Sequence, residues 1–335
     1  MESNTQKKSS SVNTPLIIVV AGAQGHLGKL VCESLKLRAQ NQSRPVQIRG
    51  LARKGGAHSG SVIPDSSGEK VSEQQLIIES VDYGNENDLK RVCTGAYCVV
   101  SALQGPKDVI VGIQSRLLKA AIAGNVKRFI PSDFSVDFNK LPEGANRNFD
   151  FRIQFHKAAD SLIQQSKSTI KLTSVYQGAF TELLASGRFL FDFKKRQIAY
   201  FGSPDTIMEF TTWKNTAEFT AAAALDLNPV PRSLYIAGKL ITPKEAQKVA
   251  KQVTGADFKL KRLMSVGMLS FMISVLKFFK PENNKPMPMW VGMQYAYCMA
   301  IGPTLPEHLD NERYQGIDWT GVEGVVSQTF NNANV

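Results

Sequence analysis

The segment LIIVVAGAQGHLGKL, residues 16–30, runs an apolar stretch rich in β-branched residues straight into three glycines, Gly22, Gly25 and Gly28, spaced three apart. β-branched side chains favour a strand, and the glycines then meet three separate needs. The first permits a tight turn out of the strand, the second lets the backbone approach a pyrophosphate, and the third lets the next helix pack against the sheet. A helix opening near Leu27 would aim its free N–H groups and the positive end of its dipole at that anion. Gly22, Gln24, Gly25, His26, Leu27 and Gly28 are therefore the expected cofactor cradle, with His26 packed over the pyrophosphate. A bare strand-to-helix turn with no ligand is the competing reading, and the surrounding pattern weighs against it.

That pattern is alternation. Residues 16–22, 46–53, 76–82, 96–103, 126–134 and 170–176 read as short apolar strands separated by helical stretches, which predicts an α/β fold with a Rossmann-type doubly wound parallel sheet. The second half is less regular. RQIAYFGSPDTIMEFTT reads as two strands about a Gly-Ser-Pro-Asp turn, and Asn215 with Glu218 reads as a capping box. Thr242, Pro243, Glu245 and Gly255 bracket a further helix. The expected organisation is a disordered polar arm over 1–14 and a dinucleotide-binding domain over 15–177, with parts of 213–254 packed on it. Residues 178–212 and 255–330 are expected to form a smaller C-terminal substrate lobe, and 55–72 a long polar loop.

The cofactor's identity should show at the end of the second strand, where an acid binds the ribose 2′-hydroxyl of NAD and an arginine the 2′-phosphate of NADP. From Ser34 to Pro64 there is no Asp or Glu, while Lys36, Arg38, Arg44, Arg49, Arg53 and Lys54 all lie there. Arg53 and Lys54 stand where the strand runs out, and guanidinium suits bidentate phosphate contact, so NADPH is the expected cofactor. A solvated basic surface is the alternative. Asp82, ending the third strand, either faces the adenine or caps the helix that follows.

Net charge is +11, but the basic residues are scattered and no base-stacking or helix-turn-helix pattern accompanies them, so no nucleic-acid partner is expected. The apolar run 263–276 falls short of the roughly 20 residues that a bilayer span needs. It predicts a buried or pocket-lining helix and no membrane partner. Cys32, Cys93, Cys98 and Cys298 lack metal-type spacing, so no metal site is expected. With no apolar signal segment at the start, these thiols suggest a reduced, cytoplasmic protein.

For chemistry the candidate is Lys157, which shares a helix face with Ile153 and Ser161 while Phe155, Ala158, Ala159 and Leu162 form an apolar stripe. Partial desolvation there would lower the ammonium pKa toward acid–base use; an exposed lysine pairing with Asp160 or solvent is the simpler reading. His156, about 100° round the helix, is expected to point elsewhere. Seven of nine methionines fall between 264 and 299, with Met264, Met268 and Met272 at helical spacing. They would either cradle an apolar or aromatic ligand or fill ordinary core.

The segments VVAGAQGHLGKL, GLARK, VDYGNENDLKRVCTGAYCVVSAL and KRFIPSDF, with a downstream helical lysine, together resemble the NmrA-like branch of the atypical short-chain dehydrogenase/reductases. That branch includes isoflavone reductase-like and phenylcoumaran benzylic ether reductase-like enzymes, and the likeness covers about residues 15–240. It implies an NADPH-dependent reductase acting on a small apolar, aromatic substrate, with Lys157 as the catalytic residue beside the cofactor. Ile153 occupies the place of the broader superfamily's tyrosine, a loss typical of the branch. The resemblance further implies that Ser101, Ala102 and Leu103 border the cofactor. Ser132, Asp133 and Phe134 would face the nicotinamide, and Gln177 to Phe180 would close over nicotinamide and substrate. Phe134, Gln177, Phe180 and Met268 are the expected substrate contacts, although Ser132 reads equally well as a turn residue. Members similar to the regulator NmrA bind the dinucleotide without evident catalysis, so a non-catalytic NADP(H) sensor acting through a protein partner is the alternative function.

Overall fold

The computed structural model describes residues 14–55, 76–186, 190–281, 285 and 287–333. The polar arm, save Thr14, and the body of the 55–72 loop lie outside them.

Six strands, β1 (Leu16–Ala21), β2 (Val46–Arg53), β3 (Leu76–Val81), β4 (Ala96–Ser101), β5 (Arg128–Ile130) and β6 (Lys171–Leu172), pair in parallel in the order β3-β2-β1-β4-β5-β6. Helices α1 (His26–Ala39), α2 (Glu86–Cys93), α3 (Gln114–Ala123) and α4 (Arg147–Ser166) cross over between them. This is the doubly wound sheet that the alternation predicts. Successive side chains of a strand point to opposite faces, so β1 feeds two cores. Ile18 and Val20 meet Val31 and Leu35 of α1 on one face. Val19 and Ala21 meet Leu89 of α2, Leu117 of α3 and Phe155 of α4 on the other. A strand covered on both faces has to be apolar throughout, hence the unbroken LIIVVA.

The expected strand over 170–176 is broken at Thr173. Its second piece, β7 (Ser174–Tyr176), leaves the sheet. Further on come β8 (Ala179–Phe180), β9 (Leu190–Asp192), β10 (Gln197–Phe201) and β11 (Met208–Thr211), then α5 (Trp213–Leu225), β12 (Ser233–Tyr235), β13 (Lys239–Ile241) and α6 (Pro243–Thr254). The chain finishes with β14 (Lys259–Met264), α7 (Val266–Phe279), α8 (Met289–Ala300) and α9 (Val322–Ala333). β7 pairs in parallel with β12. The two strands about the Gly-Ser-Pro-Asp turn both form, but they separate: β10 sits between β14 and β9, β11 between β13 and β8.

α5 lies on α1 and buries Ala217, Ala221, Ala223 and Ala224, small side chains that let the two helices approach closely. Its N-cap is Thr212, not Asn215, because the Thr212 hydroxyl accepts from the Asn215 N–H at 3.1 Å. The Asn215 side chain is taken by distant backbone, donating to Asp318 O and accepting from Thr320 N. α6 has the predicted capping box of Thr242 and Glu245, with Gly255 left-handed at its end. α6 packs on α9 and on the β9, β10, β14 sheet. α7 departs from expectation: only Leu269 and Ile273 are buried, and its other apolar side chains are largely exposed. All four cysteines are buried, free thiols that burial pushes up to about 12.

Candidate functional site

The glycine turn has the close contacts that its spacing requires. Gly22 has φ +79°, a region costly for side chains with a Cβ, and a Cβ there would come within 2.7 Å of Ala102 O. A Cβ at Gly28 would overlap the Gly22 carbonyl. Gly25 N-caps α1 with no side-chain cap bond, and the first turn carries no acid. The opening N–H groups of a helix lack intrahelical acceptors, so this end suits an anion.

Of the basic residues near β2, several are absorbed structurally. Arg38 donates to Gln315 O, Arg44 to Thr14 O, and Arg49 to Val92 O and Thr94 O while facing Glu79 at 3.7 Å. Arg53 and Lys54 stay exposed at the strand's carboxyl end. Beside them the sequence reading missed Tyr83, a buried phenol that burial pushes up to about 12 against the Gly22 N–H and the Arg53 charge. Asp82 is exposed and its carboxylate accepts from Gly84 N at 2.8 Å. The cap of α2 is Asn85, so the capping reading of Asp82 falls.

Along the same edge, Ala102 N donates to Ala21 O, and the Ser132 hydroxyl donates to Leu103 O at 2.6 Å. Ser101, Ala102, Leu103 and Ser132 are thus brought together beside the glycine turn. The Ser101 hydroxyl is buried and finds no partner among the described residues, and neither does either end of the Gln177 side-chain amide beyond β7. Buried polar atoms seldom stay unpaired, so both suit a polar ligand at the carboxyl ends of the strands, where open α/β sheets bind theirs. His26 is exposed with its ring 4.2 Å from that of Trp213, and Phe180 approaches the same indole at 5.6 Å. Trp213, whose backbone N–H donates to the Glu182 carboxylate at 2.9 Å, thereby ties the glycine turn to the chain beyond β7. No local signal marked it. The residues fit a dinucleotide diphosphate with an added phosphate at Arg53 and Lys54.

The adjoining chemistry sits on α4. Arg152 donates to Ser132 O at 3.0 Å, and one turn further Lys157 lines a cavity of about 300 Å³ with Asn139, Ile153, His156, Tyr176 and Arg232. Lys157 is exposed on this wall rather than desolvated, and Asp160 pairs with Arg232 at 2.8 Å. His156 lines the same cavity, while its ring turns inward to a buried carboxylate. Its Nε2 lies 2.7 Å from Asp133 Oδ2. Asp133 is fully buried. Burial would raise its carboxyl, but the charge and hydrogen bond of His156 hold it below the usual range. Burial opposes the His156 proton too, and Asp133 outweighs it, so the imidazole is held above its ordinary value. Burial and the nearby Asp133 and Asp137 push the Tyr176 phenol up, and its oxygen accepts from Asn139.

The expected substrate contacts differ in exposure. Phe134 is buried in the sheet core and Gln177 is fully buried, whereas Met268 is 55% exposed on α7. The methionine row therefore does not enclose a pocket through Met268.

A family model described as the NmrA-like family matches residues 15–281. The chain belongs to the NmrA-like family. A curated relative, oxidoreductase swnN of Arthroderma benhamiae, is 26% identical over 192 residues, a match spanning 52% of this chain and 58% of that protein, under two thirds of its length. Among solved structures, AtPrR2 with NADP+ and (+)pinoresinol superposes with a TM-score of 0.70 at 16% identity, covering 95% of this chain and 99% of that one. An isoflavone reductase gives 0.70 at 18%, covering 94% and 99%. Leucoanthocyanidin reductase of Vitis vinifera with NADPH gives 0.65 at 16%, covering 93% and 98%. This NmrA-like chain shares their fold over almost its whole length.

Proposed function

We propose that the protein is an NADPH-dependent reductase of small apolar, aromatic substrates, with Lys157 as its proton donor. The observation that carries the reading is the carboxyl edge of the sheet. There a glycine turn that admits no Cβ at Gly22 or Gly28 adjoins Arg53 and Lys54, with no carboxylate between Ser34 and Pro64 to receive a ribose hydroxyl. The names of the similar proteins, an oxidoreductase and several reductases, support the same class.

NADPH supplies a hydride when bound. The chain's part is positional. The α1 N-terminus and the guanidinium of Arg53 bind the phosphates, Trp213 and Phe180 close over the turn, and α4 presents Lys157 beside the cavity. His156 is locked by Asp133, so the wall next to Lys157 keeps one shape, and orienting reacting groups in this way is worth several kcal/mol of barrier.

Fluorescence titration should show tighter binding of NADPH than of NADH, and Arg53→Ala should abolish most of that preference. Lys157→Ala should keep NADPH affinity while lowering kcat/KM by about 10²- to 10⁴-fold, the usual worth of a general acid, on a panel of carbonyl and benzylic ether substrates. Equal affinity for the two cofactors would overturn the phosphate assignment. NADPH binding with no turnover of any substrate would make the chain a sensor instead.

A further inference from the structure

α7 carries a broader apolar face than a surface helix ordinarily does. At 3.6 residues per turn, Leu269 and Ile273 fall on one side and are buried, in a helix that packs against α8. Met268, Phe271, Met272, Val275 and Phe279 fall within an arc of about 100° on another side. Ser270, Ser274 and Lys277 separate the two groups on one side of the helix, and Leu276 joins them on the other. Phe271 is 64%, Phe278 79% and Phe279 74% exposed, and Leu263 before the helix and Met287 and Met289 after it are exposed too. Bulky apolar side chains exposed together along one helix and its flanks mark an interaction surface.

We propose that this outer stripe is a peripheral docking surface for an anionic lipid bilayer. Charge selects the occupant. Between Phe258 and Pro306 the sequence has six basic residues and a single acid. Lys259, Lys261 and Arg262 lie exposed at one end of α7, Lys277 and Lys280 at the other. Bulky apolar side chains flanked by lysine and arginine are what an in-plane interfacial helix presents to headgroups. A second copy meeting this face about a two-fold axis would set two basic rims against each other. The helix, at 14 residues, is too short to span, and no helix among the described residues is long and apolar enough to cross a membrane. The contact is with one leaflet. It departs from the expectation of no membrane partner, which rested on segment length alone.

The test is co-sedimentation of the full chain with vesicles of phosphatidylcholine, with and without phosphatidylserine. The wild type should pellet with the anionic vesicles only, and less so as salt rises. Phe271→Ser with Phe279→Ser should lower the partition coefficient about tenfold or more, with NADPH affinity unchanged. Lys261→Gln with Arg262→Gln, which leaves the apolar stripe intact, should lower it about fivefold per charge. Circular dichroism checks that each variant is folded. The proposal falls if the wild type stays in the supernatant, pellets equally with neutral vesicles, or pellets as well when both phenylalanines are serine. It falls equally if the serine pair converts a wild-type dimer to monomer while vesicles bind neither, which would assign the face to a second copy.

Discussion

Asp133 and His156 form a buried hydrogen-bonded pair in which each favours the other's charged form, so its contribution to stability depends on pH at both ends. The raised imidazole contributes fully below its unfolded value of 6.5, and that part is lost as pH rises through the folded value. The lowered carboxyl contributes above its unfolded value of 3.8 and is lost as pH falls through the folded one. Between these limits, His156→Ala strands a carboxylate with no accessible surface and should cost about 3–5 kcal/mol. Urea denaturation at a series of pH values should show this cost shrinking toward alkaline pH, as the wild type's imidazole loses its charge. A cost that stays flat with pH would mean that the two side chains share a neutral hydrogen bond and no ion pair. Neither partner's role was legible in the sequence. His156 was set aside by its angle on the helix, and nothing local pairs it with Asp133, because the contact joins a strand end to a helix 23 residues on.

Helix α6 is the element the sequence defines best, because every determinant of its ends is local. The Thr242 hydroxyl accepts from Glu245 N and the Glu245 carboxylate accepts from Thr242 N at 2.8 Å, while Gly255 takes the left-handed conformation that ends the helix. Thr242→Ala should therefore cost about 1 kcal/mol, in the range of N-cap removals, read as a shift of the denaturation midpoint with an unchanged slope. An unaltered midpoint would show that α6 is held by its packing alone. The same reasoning misplaced the start of α5, since Asn215 and Glu218 have the spacing of a box while Asn215 is spoken for by Asp318 and Thr320, a hundred residues away. Strands were legible for their apolar runs, but not their partners: the 170–176 segment breaks because β7 pairs with β12, far along the chain. The apolar run in α7 was legible as a helix; whether anything covers it is a tertiary fact.

Across the whole molecule, the glycine cradle and the parallel sheet could be read from spacing and alternation, whereas the joining of the two halves of the chain could not. That joining depends on straps with no sequence signature. Arg128 of β5 donates to the carbonyls of Ala223, Asp226 and Asn228 at the end of α5, and the segment at Thr304 is held by Glu209 of β11. The buried Glu209 carboxylate accepts from Thr304 N at 2.5 Å and Leu305 N at 2.6 Å, with the Thr304 hydroxyl at 3.1 Å. Thr304 in turn accepts from Asp137 N and Lys140 Nζ, the loop that leads into α4. Burial pushes the Glu209 carboxyl up, and the donors only partly offset it. Folding therefore raises its proton affinity, so wild-type stability should decline as pH climbs from 4.5 through the raised value. Glu209→Gln keeps one oxygen for both backbone donors and carries no charge, so that share of the decline should vanish with little loss of stability at neutral pH. Glu209→Ala should instead cost about 1–3 kcal/mol for each N–H left unpaired. Equal destabilisation by Gln and Ala in guanidinium titrations would show that the strap depends on the charge itself, and that its backbone donors contribute little.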